Sequence, residues 1–574
     1  MSNRRLGVYM CYCGGNISDY VDVERVRETI AKEPGVVVAK TALSACSDAS
    51  QQEMVQDIKE HNLDGLVVAS CSPKLHMFTF RAAAKRAGLN PYQYTQVNVR
   101  EQCSWTHTDD REGATRKEIS LIRAGIGKTS LTEPLEPIRI DTVPKVLVVG
   151  GGIAGLRAAI GLADIGLSVL LIEKSPSVGG RVNQLGIMYP HGKDGKQLIA
   201  QSMNEIKKRK NITLLTNAEL VGKSGSIGDF TVKIRVSEDE ITANVGTIII
   251  ATGFDSYHPK EGEYGYGIDG VVALPEFKEL LDKSVGVPTR NGKEIRDIVY
   301  IYCVGSRQDA DLENPNRYCS RFCCTAAVHS SIVVSEKNPN SHQYHLFRDI
   351  RTYGKYELLY GQSRDAGSTY LRFGEDEPPV VEKCSDGKVK VTVRDLLTFG
   401  EEVEIKADVV VLVTGMVPRK NEELVSLLKL PVGRDRFFNE IHPKLRPVET
   451  MVDGVLICGT CQGPKNSSET VASALAAATQ SAAILKKGYV ELDPLMAWVN
   501  PELCDGCLEC VEACPYSAIE MSEDQGKKVA TVNKAGCKGC GGCVPVCPRE
   551  AIDLKGYTDA QIKSMIDGFL KEIV

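Results

Sequence analysis

The chain has 574 residues, is 43% hydrophobic and 25% charged, and carries a formal charge of −5. Those values fit an ordinary globular protein of about four folded units at roughly 150 residues each. They exclude the net basic field of a non-specific nucleic-acid binder, and a chain this long needs no disulfide staples to bury a core. The anomaly is 20 cysteines, gathered in clusters. No apolar run nears the ~20 residues that span a bilayer. The N-terminal MSNRRLGVYMCYCGG lacks the apolar stretch of a secretory signal. A cytoplasmic protein with no transmembrane segment is expected, and in that compartment such cysteines signify metal or redox chemistry.

Residues 1–138 alternate strand-like runs (Gly7–Met10, Gly35–Ala39, Gly65–Ala69, Tyr92–Val97) with helical patterns (Val23–Lys32, Gln51–Glu60, Thr79–Ala87). That alternation predicts a parallel sheet covered on both faces. Sites in such sheets form beyond the carboxyl ends of the strands. Cys11, Cys13, Cys46, Cys71 and Cys103 all follow strands closely, so they are expected on one edge. Four of the five are read as ligands of an iron–sulfur cluster, with Cys11 or Cys13 the spare. The alternative is a set of buried free thiols. Ala114–Gly127 is expected to be a helix and Leu131–Pro137 a linker broken by Pro134 and Pro137.

Residues 139–262 begin a nucleotide-binding domain. The apolar strand Lys145–Val149 runs into Gly150-Gly151-Gly152-Ile153-Ala154-Gly155 and a helix, Leu156–Ile165. This is GxGxxG in its required context. The first glycine permits the turn, the second admits a diphosphate, and the third lets helix and strand pack closely. The diphosphate would sit on the helix N-terminus. A second strand, Ser168–Ile172, ends at Glu173, 21 residues after Gly152, where a carboxylate accepts ribose hydroxyls.

Three further segments follow: Gly179-Gly180-Arg181, Ala251-Thr252-Gly253 after the strand Ile248–Ile250, and Thr414-Gly415 after Val409–Val413. Together they resemble the flavoproteins of the thioredoxin-reductase type, in which such segments surround FAD. The resemblance implies an FAD site drawing on Gly150, Gly152, Ile153, Ala154, Gly155, Glu173, Lys174, Gly180, Arg181, Ala251, Thr252, Gly253 and Gly415. It also implies that Gly454–Thr470, with Gly459, Lys465 and Thr470, closes over the flavin ring. Lys465 is the catalytic candidate, since a lysine there stabilises an anionic reduced flavin. Its alternative is a surface lysine.

Residues 263–400 are expected to form a degenerate NAD(P)-type domain, and 401–490 to return to the FAD-binding domain. After the strand Ile298–Tyr302, the turn that should carry phosphate-binding glycines reads Cys303-Val304-Gly305-Ser306-Arg307. A long insertion and Cys319, Cys323 and Cys324 follow. Nicotinamide binding is expected to be lost or badly compromised. Four thiols in one loop and helix start suffice for a [4Fe–4S] cluster; a Cys323–Cys324 redox dithiol is the alternative. No cysteine lies between Ser177 and Pro190, so the usual disulfide-reductase motif is missing. Cys458 and Cys461 are read as packing residues, and Cys384 stands alone.

Residues 491–574 carry the strongest signal. Cys504, Cys507, Cys510 and Cys514-Pro form one CxxCxxCxxxCP run; Cys537, Cys540, Cys543 and Cys547-Pro form another. The fourth cysteine of each run ligates the other cluster in two-cluster ferredoxins. The expected sets are Cys504, Cys507, Cys510 with Cys547, and Cys537, Cys540, Cys543 with Cys514.

CYCGGNI, ASCSPKLH, REQCSW, CVGSR with YCSRFCC, and CQGPK resemble the A-type iron–sulfur flavoprotein of heterodisulfide reductase across essentially the whole chain. The resemblance implies an α/β multidomain protein: an N-terminal parallel-sheet domain, a thioredoxin-reductase-like FAD domain with a degenerate second nucleotide domain, and a bacterial-type two-[4Fe–4S] ferredoxin. It implies an FAD- and cluster-bearing electron-transfer subunit with a dimeric core. Its expected partners are B- and C-type subunits and a hydrogenase-, formate dehydrogenase- or NADH-linked input module. In methanogens this subunit sits at a flavin-based electron-bifurcation point. Here no cysteine lies between Gly253 and Asp297, so the ferredoxin domain inserted there in the long methanogen form is absent, which removes one electron branch. The rival readings are a stand-alone NAD(P)H:acceptor oxidoreductase and a passive electron-transfer scaffold.

Overall fold

The computed structural model describes residues 4–189, 192–524 and 526–571; Pro190, at the end of the cysteine-free stretch, lies outside them. The chain forms two compact units, 141–490 and 1–140 joined by 491–574. Among the described residues, no helix is long and apolar enough to cross a membrane.

In the unit containing the N-terminus, four parallel strands lie in the order Val36–Ala42, Leu6–Cys11, Gly65–Ser70, Tyr94–Asn98. The two central strands are buried along their whole length, as strands covered on both faces must be. Each following helix starts on a side-chain cap: Asp22 for Val23–Ile30, Ser47 for Asp48–Glu60, Ser72 for Pro73–Ala87 and Asp110 for Arg111–Ser130.

The ferredoxin segment adds two antiparallel pairs, Ala497–Val499 with Ile552–Leu554 and Ile519–Asp524 with Lys527–Val532. It is not a separate body, as its motifs alone suggest. Its last helix, Asp559–Leu570, packs along Arg111–Ser130. Glycines set that approach. A Cβ on Gly127 would stand 2.5 Å from the Ser564 carbonyl oxygen, and one on Gly568 2.6 Å from that of Arg123. Around the contact, Arg123 and Lys571 each reach Glu33 at 2.6 Å. The Lys128 ammonium sits over the Tyr557 ring at 3.4 Å.

The other unit holds the same chain path twice. In the first copy the parallel order is Ile212–Leu215, Ser168–Ile172, Lys145–Val149, Thr247–Ile250, Val455–Ile457. Between the third and fourth strands in sequence comes an antiparallel trio: Ala218–Ser226, Asp229–Val236, Asp239–Val245. In the second copy the order is Val271–Ala273, Val409–Thr414, Asp297–Val304, His342–Phe347, Thr369–Arg372. Its trio is Val380–Lys383, Val389–Asp395, Glu401–Ala407.

This corrects the boundary at residue 400. Glu401–Ala407 and Val409–Thr414 complete the second copy. Val409–Thr414 is a buried interior strand of that sheet, equivalent to Thr247–Ile250, and an apolar run cannot reveal which of two like sheets it joins. Val455–Ile457 is the strand that rejoins the first sheet. Gly415 moves with the correction: its N–H donates to Val304 at 3.0 Å, at the edge of the second sheet rather than in the first sheet's cradle.

Candidate redox centres

The glycine turn after Lys145–Val149 is shaped by contact on one side and space on the other. A Cβ on Gly155 would stand 1.8 Å from the Gly150 carbonyl oxygen, and one on Gly150, at φ +111°, would stand 2.4 Å from that of Ala251. A Cβ on Gly152 would meet nothing within 4 Å among the described residues. That open space faces the start of the helix Ile153–Asp164, whose first N–H groups and partial positive charge favour a diphosphate. Glu173 is buried; its carboxylate accepts from the N–H groups of Gly151 at 2.6 Å and Ser175 at 2.8 Å. The buried Thr252 hydroxyl has no hydrogen-bond partner among the described residues. Gly180 approaches the Gly152 Cα, and Arg181 pairs with Asp255 at 3.0 Å. The residues present fit an FAD diphosphate and ribose. Lys174 does not join them: it is 82% exposed and paired with Glu219 at 2.5 Å.

The closing segment meets this cradle. A Cβ on Gly459, at φ +74°, would stand 2.8 Å from the Ala154 Cβ and 3.4 Å from Thr470. The start of the helix Ser467–Leu485 is therefore held beside the start of Ile153–Asp164; it is fixed by an Asn466–Glu469 capping box. Lys465 reaches Gln462 at 3.1 Å and the Gly459 carbonyl at 3.4 Å. Burial lowers its pKa, opposed by Cys461 and Glu440. Cys458 and Cys461 are buried, and the Cys461 thiol donates to the Cys458 carbonyl at 3.1 Å, as packed thiols do.

In the second copy the turn is closed. A Cβ on Gly305 would stand 2.0 Å from the Tyr257 ring; the Tyr257 hydroxyl donates to Glu263 at 2.9 Å. The four thiols converge beside it. Cys303 takes φ +65°, a backbone conformation costly for a side chain. Cys323 and Cys324 open the helix Cys323–Lys337, and Cys319 accepts from the Arg321 N–H at 3.3 Å. Burial raises the Cys303 pKa and the Cys324 sulfur adds to it, while Arg348 and Arg307 oppose. The Cys323 thiol donates to Cys324, which keeps Cys323 well up and Cys324 low; Arg351 and Arg307 assist at Cys324. The thiol loop is bonded to the flavin-closing segment. Arg321 of the loop meets Glu469 at 2.6 Å, and Tyr353, whose ring lies under Arg321, accepts at its hydroxyl from the Asn466 amide at 3.0 Å.

At the edge of the N-terminal sheet the structure brings four of the five thiols together. Cys11 accepts from the N–H groups of Cys13 at 3.2 Å and Ala45 at 3.3 Å, and Cys13 accepts from Arg100 at 3.3 Å. Burial raises the Cys11 pKa, with Cys13 and Cys46 adding. Burial pushes Cys71 up to about 11, opposed by Arg100 and reinforced by Cys13 and Cys11.

Cys103 stands apart, which corrects the choice of Cys11 or Cys13 as the spare. It has no exposed surface and donates to the Ala114 carbonyl at 3.1 Å. Burial, then Glu118, pushes it up to about 12. The chain turns back after Asn98 and carries Cys103 under the helix Arg111–Ser130. Glu118, buried in that helix, belongs to no sequence motif. Burial pushes its carboxyl up to about 8, and neither oxygen has a partner among the described residues.

The ferredoxin thiols cross over as their spacing predicts. Cys504, Cys507, Cys510 and Cys547 line one cavity with Met521, Ala530 and Ile552. The thiols acting on Cys543 are Cys537, Cys540 and Cys514. The two halves repeat in detail: Ala518 N–H donates to Cys514 at 3.3 Å and Ala551 N–H to Cys547 at 3.2 Å. All these cysteines are free, and each set is a four-thiol donor group of the kind that holds [4Fe–4S].

Residues 144–298 match the pyridine nucleotide-disulphide oxidoreductase family and residues 503–551 the 4Fe-4S dicluster domain. With the glycine cradle and the thiol sets, these define an oxidoreductase whose cofactors are FAD and [4Fe–4S] clusters. The chain is 37% identical to the second A-type iron–sulfur component of the CoB–CoM heterodisulfide reductase of Methanopyrus kandleri, over 92% of each chain. It is 36% identical to the corresponding A-type component of Methanocaldococcus jannaschii, over 99% of this chain and 98% of that one. It is also 36% identical to the A-type component of the H2:CoB-CoM heterodisulfide,ferredoxin reductase of Methanothermobacter thermautotrophicus, over 91% of each. The chain belongs to the heterodisulfide reductase family of A-type iron–sulfur subunits.

Proposed function

We propose that this chain is the flavin subunit of a heterodisulfide-reductase-like complex, with one FAD and four [4Fe–4S] clusters arranged as an electron relay. The observation that carries the reading is the bonded link between the Cys303–Cys324 thiol loop and the flavin-closing segment, through Arg321–Glu469, beside a second bond from Tyr353 to Asn466. Bound FAD would supply the exchange between a two-electron donor and one-electron cluster chemistry. In this reading Gly150 to Gly155 bind the diphosphate and Glu173 holds the ribose. Lys465 places positive charge against the flavin ring. Tyr257 keeps a second nucleotide off the Gly305 turn.

The ligand sets in this reading are Cys11, Cys13, Cys46 and Cys71; Cys303, Cys319, Cys323 and Cys324; and the two crossed ferredoxin sets. B- and C-type subunits would receive electrons from the ferredoxin segment, within a homodimeric core in the cytoplasm. A hydrogenase-, formate dehydrogenase- or NADH-linked module would supply them. With no cysteine between Gly253 and Asp297, any bifurcating second branch is assigned to such partners.

Anaerobically reconstituted protein is expected to hold about 16 iron per FAD, four per cluster. About eight iron would sink both unusual centres. Rapid flavin bleaching by NADH or NADPH alone would replace the reading with a stand-alone oxidoreductase.

A further inference from the structure

The four thiols of the second copy are ringed by guanidinium groups. Arg307 Nη1 lies 3.9 Å from the Cys303 sulfur. Arg348, only 13% exposed, hydrogen-bonds the same sulfur and donates from Nη2 to the Arg307 carbonyl at 2.9 Å. Arg351 hydrogen-bonds Cys319. The opposing charge is thin. Asp349 is one carboxylate shared by Arg307 at 2.9 Å, Arg351 at 3.5 Å and Arg372 at 3.7 Å. Arg348 has Glu375, which is 65% exposed.

The other thiol sets are placed differently. The N-terminal thiols meet Arg100, which is already paired with Glu101 at 2.8 Å. At the ferredoxin, the Cys507 N–H donates to Asp505 at 3.3 Å, and that carboxylate is paired with Arg549 at 2.8 Å.

We infer that Arg307, Arg348 and Arg351 form a collar of permanent positive charge that raises the reduction potential of the centre at Cys303, Cys319, Cys323 and Cys324. This rests on the reading that those thiols hold a [4Fe–4S] cluster. Reduction of such a centre is the addition of one electron, with no bond made or broken, so the site becomes one unit more negative. Arginine stays protonated throughout, and positive charge in contact with the sulfurs favours the more negative state. Burial of Cys323 and Cys324 works the other way, since low dielectric disfavours the extra charge. The collar offsets that cost and favours transfer of an electron from the flavin to this centre.

The test is a dithionite titration of the full chain, followed by EPR, with iron and FAD counted in each variant. Arg351→Gln is expected to move one midpoint to more negative potential and leave the others in place. Arg351→Lys, which keeps the charge, should stay near the wild type. Asp349→Asn should move the same midpoint the opposite way. Opposite shifts from neighbouring neutralisations are not produced by loosened packing. An unmoved midpoint in Arg351→Gln with iron retained overturns the collar. If Arg351→Gln loses iron, the same comparison on Arg307→Gln decides. The underlying reading fails separately: a Cys303→Ser, Cys319→Ser double variant with the wild-type iron count and EPR signals would mean no cluster is there.

Discussion

The two copies within residues 141–490 take the same path through strand, helix, strand, helix, strand, antiparallel trio and a last interior strand. They close the carboxyl edge of their sheets in opposite ways. The first sheet passes from Val149 through three glycines into its helix at Ile153 and leaves open space at Gly152. The second passes from Val304 into Gly305 under the Tyr257 ring, and its helix starts only at Cys323. One edge presents backbone N–H groups beside open space; the other presents four thiols. The scaffold determines where a site can form, and the turn sequence determines its chemistry.

The largest effect is expected at the third glycine of the first copy. Gly155→Val puts a branched side chain where even a Cβ would stand 1.8 Å from the Gly150 carbonyl. The turn must open, and FAD occupancy, read from flavin absorbance, should fall below about a tenth of the wild type, because such overpacking cannot relax without moving the backbone. Normal occupancy would mean that FAD is held elsewhere and the contrast between the copies is empty.

The next effect lies in the second copy. Cys303→Ser with Cys319→Ser should remove about four of 16 iron per FAD while FAD stays bound. Loss of flavin with iron unchanged would invert the assignment of the two edges. The N-terminal sheet extends the comparison, since its carboxyl edge also ends in thiols. Cys71→Ser should cost about four iron, whereas Cys103→Ser, whose thiol faces Ala114, should cost none. The reverse result would return Cys103 to the ligand set.

The features legible in sequence were those whose geometry is local. GxGxxG between strand and helix, and the doubled CxxCxxCxxxCP, carry their geometry in their spacing, and the glycine contacts and crossed thiol sets follow it. The features that were not legible depend on what a segment packs against. Val409–Thr414 belongs to the second sheet because of its neighbours, not its composition. Lys174 follows the ribose carboxylate in sequence but turns outward to Glu219. Cys103 is drawn under a helix, and the ferredoxin joins the N-terminal sheet's unit through two glycines 441 positions apart, Gly127 and Gly568. An acidic residue in the apolar face of Arg111–Ser130 was the one available hint of Glu118.

The smallest effect is expected where the two copies look most easily interchanged. Tyr257→Ala removes the ring that covers Gly305 and exposes a glycine turn at the right end of a parallel strand. That alone does not rebuild a nucleotide site. In the first copy the helix starts three residues after Gly150, so its N-terminal N–H groups and partial charge meet the diphosphate. In the second, 17 residues separate Gly305 from Cys323, and the helix start is given over to thiols. Arg348 and Arg307, the charges nearest that turn, are already engaged with Cys303, Glu375 and Asp349. Flavin reduction by NADPH should therefore rise less than about twofold in Tyr257→Ala, because opening space restores neither the donors nor the dipole that a diphosphate requires. A tenfold rise, measured as bleaching under anaerobic conditions, would show that the ring alone had silenced a working nicotinamide site. The second copy would then be a covered version of the first rather than a converted one.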